Sequence, residues 1–338
     1  MVKWYNILII SVFMFVSCTH RFAEDGNTDP LANFEALWKI IDEKYCYLDE
    51  KQIDWDSIYT VYHARFDTLQ VIEDEDQYVV FDILEEMLNE LNDGHVNLYS
   101  SFDISVCSSW YEGYPENFDS EILSTYYLKD YRRASGLNYC KIDGDSIGYI
   151  YYSSFSNSFS LTNWLAVLNY FKSCRGIVLD VRNNGGGSID NAYRLASPFF
   201  SRDTIIGYWQ HKSGIGHQDF SALEPMHIKD VKGWWKRPVI VLCNRRSYSA
   251  TNLFVSMMRY ADNCLILGGK SGGGGGMPMS YELPNGWLVR FSSIKMYDRD
   301  QQSIEAGVMP HLLVIQHDTI KDSLIEEAVG LINSAYKK

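Results

Sequence analysis

The chain has 338 residues, and 46% of them are hydrophobic, so a sizeable core can be buried. A formal net charge of -13 argues against nucleic acid or an anionic membrane surface as a main partner. The cysteines form no CxxC pair and no Cys/His cluster, so no metal site is signalled and no cofactor is expected.

The N-terminus reads as a targeting segment. Lys3 supplies the positive start, and Ile7 to Val16 is apolar but too short to span a bilayer. It ends in Phe15-Val-Ser-Cys18, which resembles a bacterial lipobox with Cys18 as the lipid-bearing residue. The expectation is a signal peptide over 1–18, a tether over 19–30, and a domain lipid-anchored in the cell envelope, periplasmic or on the outer-membrane surface. Which membrane face it occupies is left open. Six further cysteines permit disulfides outside the cytoplasm, although Cys174, Cys243 and Cys264 sit in or beside apolar runs where a buried thiol is the simpler reading.

Residues 31–98 are expected to form a small helical domain. Phe34, Leu37, Trp38 and Ile41 follow helical spacing, as do Val80, Ile83, Leu84, Met87, Leu88 and Leu91. Asp54-Trp-Asp56 can begin another helix. Gly94 stops the last one, within Asp93-Gly-His-Val-Asn-Leu98. Residues 99–147, rich in Ser, Tyr, Asp and Gly, read as a linker of irregular strands and loops. From 148 to 338 strands alternate with helices: strands at 148–155, 177–181, 239–243 and 264–267, helices at 161–174, 188–199 and 250–261. That alternation predicts an α/β fold with a mixed, largely parallel sheet and flanking helices. A further strand over 286–297 and a closing helix over 318–336 complete it. No internal repeat is present.

Two strand ends in this region can build an acyl-transfer site. Gly176-Ile-Val-Leu-Asp-Val-Arg-Asn-Asn-Gly-Gly-Gly187 ends in glycines that can turn backbone amides toward a developing oxyanion. Pro238-Val-Ile-Val-Leu-Cys-Asn-Arg-Arg-Ser-Tyr-Ser-Ala250 puts Ser249 between a strand and a helix. Each half has a plain explanation as well. A serine there most often caps the helix, and three glycines often only make a tight turn. A nucleophile needs a base and an orienting acid. Of eight histidines, His95 follows Asp93-Gly94 at a helix end, where a cap or surface role is also common. Glu305, in Ser303-Ile-Glu-Ala-Gly-Val-Met-Pro310, is an acid between apolar neighbours.

Taken together, these segments resemble the S41 peptidases, the family of the C-terminal processing proteases and the tricorn core protease, across roughly residues 30–325. Leu-Asp-Val-Arg-Asn-Asn-Gly-Gly-Gly is close to the family signature Asp-Leu-Arg-Asn-Asn-x-Gly-Gly. Leu-Asn-Asp-Gly-His-Val matches its histidine segment. Ser247-Tyr-Ser-Ala-Thr-Asn252 matches its nucleophile turn, with Ser249 as the nucleophile, and Ser303–Pro310 matches its late acidic motif. The resemblance implies a ClpP/crotonase-like core beside the N-terminal helical domain. It also implies a serine endopeptidase acting on peptide or protein substrates: Ser249 attacks, His95 is the base and Glu305 orients it. The amides of Gly186, or alternatively Gly187, and Ala250 would hold the oxyanion.

The departures shape the expectation. Processing proteases of this family pair serine with lysine, but Gly274 stands at that place, inside Gly272–Gly276. Lys270 lies four residues earlier and could support catalysis only through a rearranged loop. The tricorn-like branch, which uses histidine and glutamate, has a serine before its histidine; here it is Gly94. Asn252 replaces the family's glutamate after the nucleophile and is a possible supporting residue. His311 replaces the aspartate that usually follows the late acidic motif. The segment between the two domains is too short for a PDZ module. The glycine run 272–276 reads as a mobile loop beside the active site. The alternative to a peptidase is a non-catalytic lipoprotein that binds peptides or apolar ligands on the same fold, and an esterase would use the same triad. Neither the substrate nor the oligomeric state can be read from the residues.

Overall fold

In the structure, a computed structural model, residues 29–69, 76–229, 231, 235–318 and 320–336 are described. Cys18 and the expected signal peptide lie outside them, as does nearly all of the expected tether. Asp29 starts helix α1 (Pro30–Lys44): its carboxylate accepts the amide of Ala32, and Pro30 sits in the first turn, where its missing N–H removes no helical bond. Asp54 caps α2 (Trp55–Asp67) in the same way, accepting from Ser57. Helix α3 (Asp76–Asn89) leads through a tight turn to β1 (Asn97–Tyr99).

A short helical turn, α4 (Ser120–Ile122), precedes the strands β2 (Arg132–Ala134), β3 (Leu137–Ile142) and β4 (Ile147–Tyr151). Then follow α5 (Leu161–Tyr170), β5 (Gly176–Asp180), α6 (Ile189–Ala196), β6 (Thr204–His211) and β7 (Glu224–Ile228). The chain continues through β8 (Val239–Cys243), α7 (Ala250–Met258), β9 (Cys264–Gly268), β10 (Gly276–Glu282), β11 (Leu288–Asp298), β12 (Leu312–Leu313) and α8 (Ser323–Tyr336).

Seven strands form one sheet in the order β12-β9-β8-β5-β4-β3-β2. From β4 to β12 the neighbours are parallel, while β2, β3 and β4 run antiparallel. Residues 99–147, expected as a linker, therefore contribute two strands to the main sheet. Every residue of β5 and β8 is buried, as parallel strands covered on both faces require. Because these two are parallel neighbours, the glycine turn after β5 and the serine turn after β8 leave the sheet side by side.

The second sheet is built on β11. Strands β1 and β6 pair along one edge of it, β10 along the other, and β7 flanks β6, all antiparallel. Three apolar clusters hold the molecule together. Trp164, Leu179, Val241 and Phe254 pack α5, α7 and one face of the large sheet, and Ile240, Leu242, Leu324 and Ile332 pack α8 on the other. In the third, Phe34, Leu37, Leu84 and Met87 of α1 and α3 meet Tyr281, Val289 and Phe291 of β10 and β11. The N-terminal helices thus share a core with the antiparallel sheet. The six cysteines among the described residues are free thiols. Among those residues no helix is long and apolar enough to cross a membrane.

Candidate active site

Ser249 sits where β8 turns into α7, in a conformation that side chains rarely adopt, with φ 58° and ψ -123°. The turn is held by its neighbours: the amide of Tyr248 donates to Asn184 O (3.1 Å) and that of Ser249 to Gly273 O (2.9 Å). The Ser249 hydroxyl caps no helix amide. It lies instead 2.9 Å from Nε2 of His95, a residue 154 positions earlier in the chain. The ordinary capping explanation of this serine therefore does not hold here.

His95 is 3% exposed, on the turn between α3 and β1. Burial, ahead of the positive charges of Arg290 and Lys51, lowers its pKa to about 4, with Asp93 opposing the shift. The imidazole is therefore neutral at pH 7 and can accept a proton through Nε2. Its backbone amide donates to Asp93 Oδ1 (2.8 Å), and its Nδ1 lies 3.5 Å from the hydroxyl of Ser292 on β11. The Ser292 hydroxyl donates to Asp93 Oδ2 (3.1 Å), which also accepts from Tyr45 (2.9 Å), while Tyr248 donates to Oδ1 (3.2 Å). Asp93 is 1% exposed and Ser292 fully buried.

Among the described residues Glu305 makes no hydrogen bond to the imidazole. Its Oε1 is 3.0 Å from the ammonium of Lys51, and its Oε2 accepts the amide of Gly275 (2.8 Å). Lys51 is also 3.8 Å from Asp93 Oδ2, so one ammonium serves two buried carboxylates. It cannot neutralise both. Despite its burial, Asp93, with Lys51, the His95 imidazole and several hydrogen-bond donors around it, falls below the usual carboxylate range. Burial and the neighbouring Asp93 push Glu305 up to about 8.

The glycine signature is mostly scaffold. Arg182 and Asp180 are fully buried and pair at 2.6 Å; Arg182 also reaches Asp322 at the start of α8 (2.8 Å) and donates to Asn117 O (2.6 Å). The Asn184 side chain bolts the two turns together. Its Oδ1 accepts from Thr251 (2.8 Å) and from the amide of Gly186 (3.0 Å), and its Nδ2 donates to Tyr152 O (2.8 Å). The Gly186 amide is thus engaged by Asn184. Gly187 and Ala250 line the cleft with Ser249, and among the described residues their amides donate no backbone hydrogen bond.

The remaining sequence candidates play other parts. Asn252 is fully buried on α7, donating to Ile304 O (2.9 Å) and accepting from Ser271 (2.6 Å), so it ties the Glu305 loop to the helix. Lys270 lines a second pocket of about 410 Å³ with Lys51, Trp110, Arg245 and Glu305. The glycines 272–276, expected as a mobile loop, are buried and tightly packed. A Cβ on Gly273 would meet Glu305 O at 1.9 Å, and one on Gly274 would meet the Tyr248 ring at 2.4 Å, so the lysine of the processing proteases has no room there. Nor has a serine at Gly94, where a Cβ would lie 2.6 Å from Trp110 Nε1. Trp110 stacks on Tyr248 (centroids 4.1 Å apart), which in turn touches the His95 ring (4.9 Å).

Ser249 opens onto a cleft of about 550 Å³ lined by Ile189, Leu253, Met277, Met296 and Arg290. Such a groove can seat an extended chain beside a nucleophile, a base and two free amides. Among the described residues no group of His, Cys, Asp and Glu is placed to hold a metal ion. Sequence reasoning passed over Asp93, though it lies two residues before His95 and accepts the amide of that residue. Tyr45, Lys51 and Ser292 carried weaker signals: Ser292 is a buried hydroxyl within a β-strand, visible only as a polar break in an apolar alternation.

Residues 146–314 match Peptidase family S41, and residues 27–89 match the tricorn protease C1 domain. A crystal structure of a peptidase candidate from Parabacteroides merdae ATCC 43184 is 44% identical, with a TM-score of 0.84 over 90% of this chain and 97% of that one. The chain belongs to peptidase family S41. Mature CPAF has the same fold at 13% identity, with a TM-score of 0.67 over 90% of this chain and 98% of that one. The carboxyl-terminal-processing protease of Picosynechococcus sp. is 27% identical over 53% of this chain and 42% of its own length. The chain therefore spans less than half the length of such curated relatives; in Staphylococcus haemolyticus, a protein named as a probable CtpA-like serine protease is 27% identical over 49% of this chain and 33% of its own length.

Proposed function

We propose that the protein is a serine endopeptidase that cleaves peptide bonds through an acyl-enzyme on Ser249. The observation that carries this reading is the 2.9 Å contact between Ser249 Oγ and His95 Nε2, made by a serine that caps nothing. His95 takes the hydroxyl proton as Oγ attacks the carbonyl. The oxyanion forms between the amides of Gly187 and Ala250, the latter at the positive end of α7. His95 then protonates the leaving amine, and water resolves the ester by the reverse path. Glu305 is the more distant acid of the site: through Lys51 and Gly275 it fixes the charge and the backbone around the histidine. Peptide and protein chains are the proposed substrates, with the cleft's methionines and leucine taking apolar side chains. The same proposal places the enzyme on a lipid anchor at Cys18 in the cell envelope.

The test is labelling by a fluorophosphonate probe. The unmodified protein is expected to label, and Ser249→Ala and His95→Ala to lose labelling by about 10⁴-fold or more with unchanged folding. A properly folded protein that the probe leaves unmodified would favour the non-catalytic binding alternative.

A further inference from the structure

Outside the nucleophile turn, Ser292, Asp93, Arg290 and Lys51 bear on His95, Arg290 by donating to its carbonyl at 3.4 Å. Among the described residues only Ser292 stands at hydrogen-bonding range from Nδ1, at 3.5 Å. Contacts of this kind are commonly long before substrate fills a site and shorten as it does. From Ser292 the line continues to Asp93 Oδ2 at 3.1 Å. Glu305 gives both its oxygens to Lys51 and Gly275.

We infer that Asp93, relayed through the Ser292 hydroxyl, is the positioning acid of His95, and that Glu305 serves Lys51 instead. The inference rests on the Ser249–His95 reading above. It follows one proton at a time. The Ser249 hydroxyl donates to Nε2, which requires the ring's own proton on Nδ1. Nδ1–H donates to Ser292 Oγ, and the Ser292 hydroxyl donates to Asp93. When Nε2 takes the serine proton, the imidazolium charge falls beside an aspartate and not beside the more distant glutamate. No proton needs to leave Nδ1 and no bond breaks at Asp93; the pair fixes the tautomer and balances the charge.

The surroundings suit an ionised Asp93. Tyr45, Tyr248, Ser292 and the His95 amide all donate to it, and Lys51 stands 3.8 Å away. Gly94 fits a bridging hydroxyl from β11: Trp110 leaves no room for a serine next to the histidine, and β11 supplies one instead.

The experiment compares Asp93→Asn, Ser292→Ala and Glu305→Gln in the whole chain by two readouts. One is the rate of fluorophosphonate labelling from pH 4 to 9. The other is the tautomer of His95, read from the ¹⁵N shifts of its ring nitrogens. Asp93→Asn is expected to slow labelling by about 10³–10⁴-fold, and Ser292→Ala by about 10–100-fold. Both should reduce the Nδ1–H tautomer, while Glu305→Gln keeps it and slows labelling less than Asp93→Asn does. If Asp93→Asn does not fold, Ser292→Ala decides alone, since it removes only one hydroxyl. The inference is overturned if Ser292→Ala keeps both the rate and the tautomer, or if Glu305→Gln matches Asp93→Asn in both. Should the unmodified protein fail to label, the peptidase reading falls, and the tautomer comparison still judges the relay.

Discussion

Two buried carboxylates around one ammonium make the protonation of the site a property of the cluster and not of any one residue. Asp93 holds the charge, and Glu305, raised to about 8, keeps its proton through neutrality. A group whose folded pKa lies above its unfolded value binds more protons when folded, so stability falls as pH rises between the two. For Glu305 that window runs from about 4.5, the ordinary value, to about 8. His95 acts in the opposite sense: its lowered pKa makes stability fall as pH drops from 6.5 toward 4. Above pH 6.5 the histidine is neutral in both states and Glu305 acts without it. Unfolding midpoints in urea should therefore decline from pH 6.5 to 8, and Glu305→Gln should flatten that decline. A slope unchanged by the substitution would show that another group carries it.

At the scale of elements, the site depends on two turns that press against each other. Gly186 has φ 101°, and a Cβ there would meet Ser249 Cβ and Tyr248 O, each at 2.8 Å. Gly186→Ala is expected to push the nucleophile off line and slow probe labelling by about 10²-fold or more, with folding retained in circular dichroism. These same turns were legible in the sequence. Strands β5 and β8 are fully buried runs of β-branched and aliphatic residues, bounded by glycines in one case and a polar turn in the other. The second sheet was harder to read. Strands β6 and β7 are amphipathic and half-exposed, and they join the sheet only through the pairing of β6 with β11, some 80 residues away in sequence. The glycine run misled for a different reason. Glycine signals chain freedom locally, but here each missing side chain is space already taken by Glu305, Tyr248 or Ser292. His95 and Glu305 stood out in the sequence because short motifs carried them. Lys51 was not, because a lysine after a helix looks like any solvated charge until the fold buries it between two acids.

For the whole molecule, the proposed catalytic pair spans two cores. His95 follows α3, whose apolar face packs on β11, while Ser249 belongs to the parallel sheet. Damage to the helical core should therefore reach the chemistry without touching a reacting atom. Leu84, fully buried on α3, offers the test. Leu84→Ala should cost about 2–5 kcal/mol of stability in urea unfolding and lower the labelling rate at temperatures where the fold remains intact. If stability falls and labelling holds, the turn bearing His95 is fixed by its own hydrogen bonds alone.

The separation of 154 positions between His95 and Ser249 also sets an order of events in synthesis. The ribosome delivers the histidine early, the serine much later, and Ser292 and Glu305 later still. No growing chain short of β11 can close the helical core or complete the surroundings of the imidazole. On the proposed reading, Ser249 and His95 can work together only once β11 has been made, because Ser292 and the strand that closes the helical core come with it.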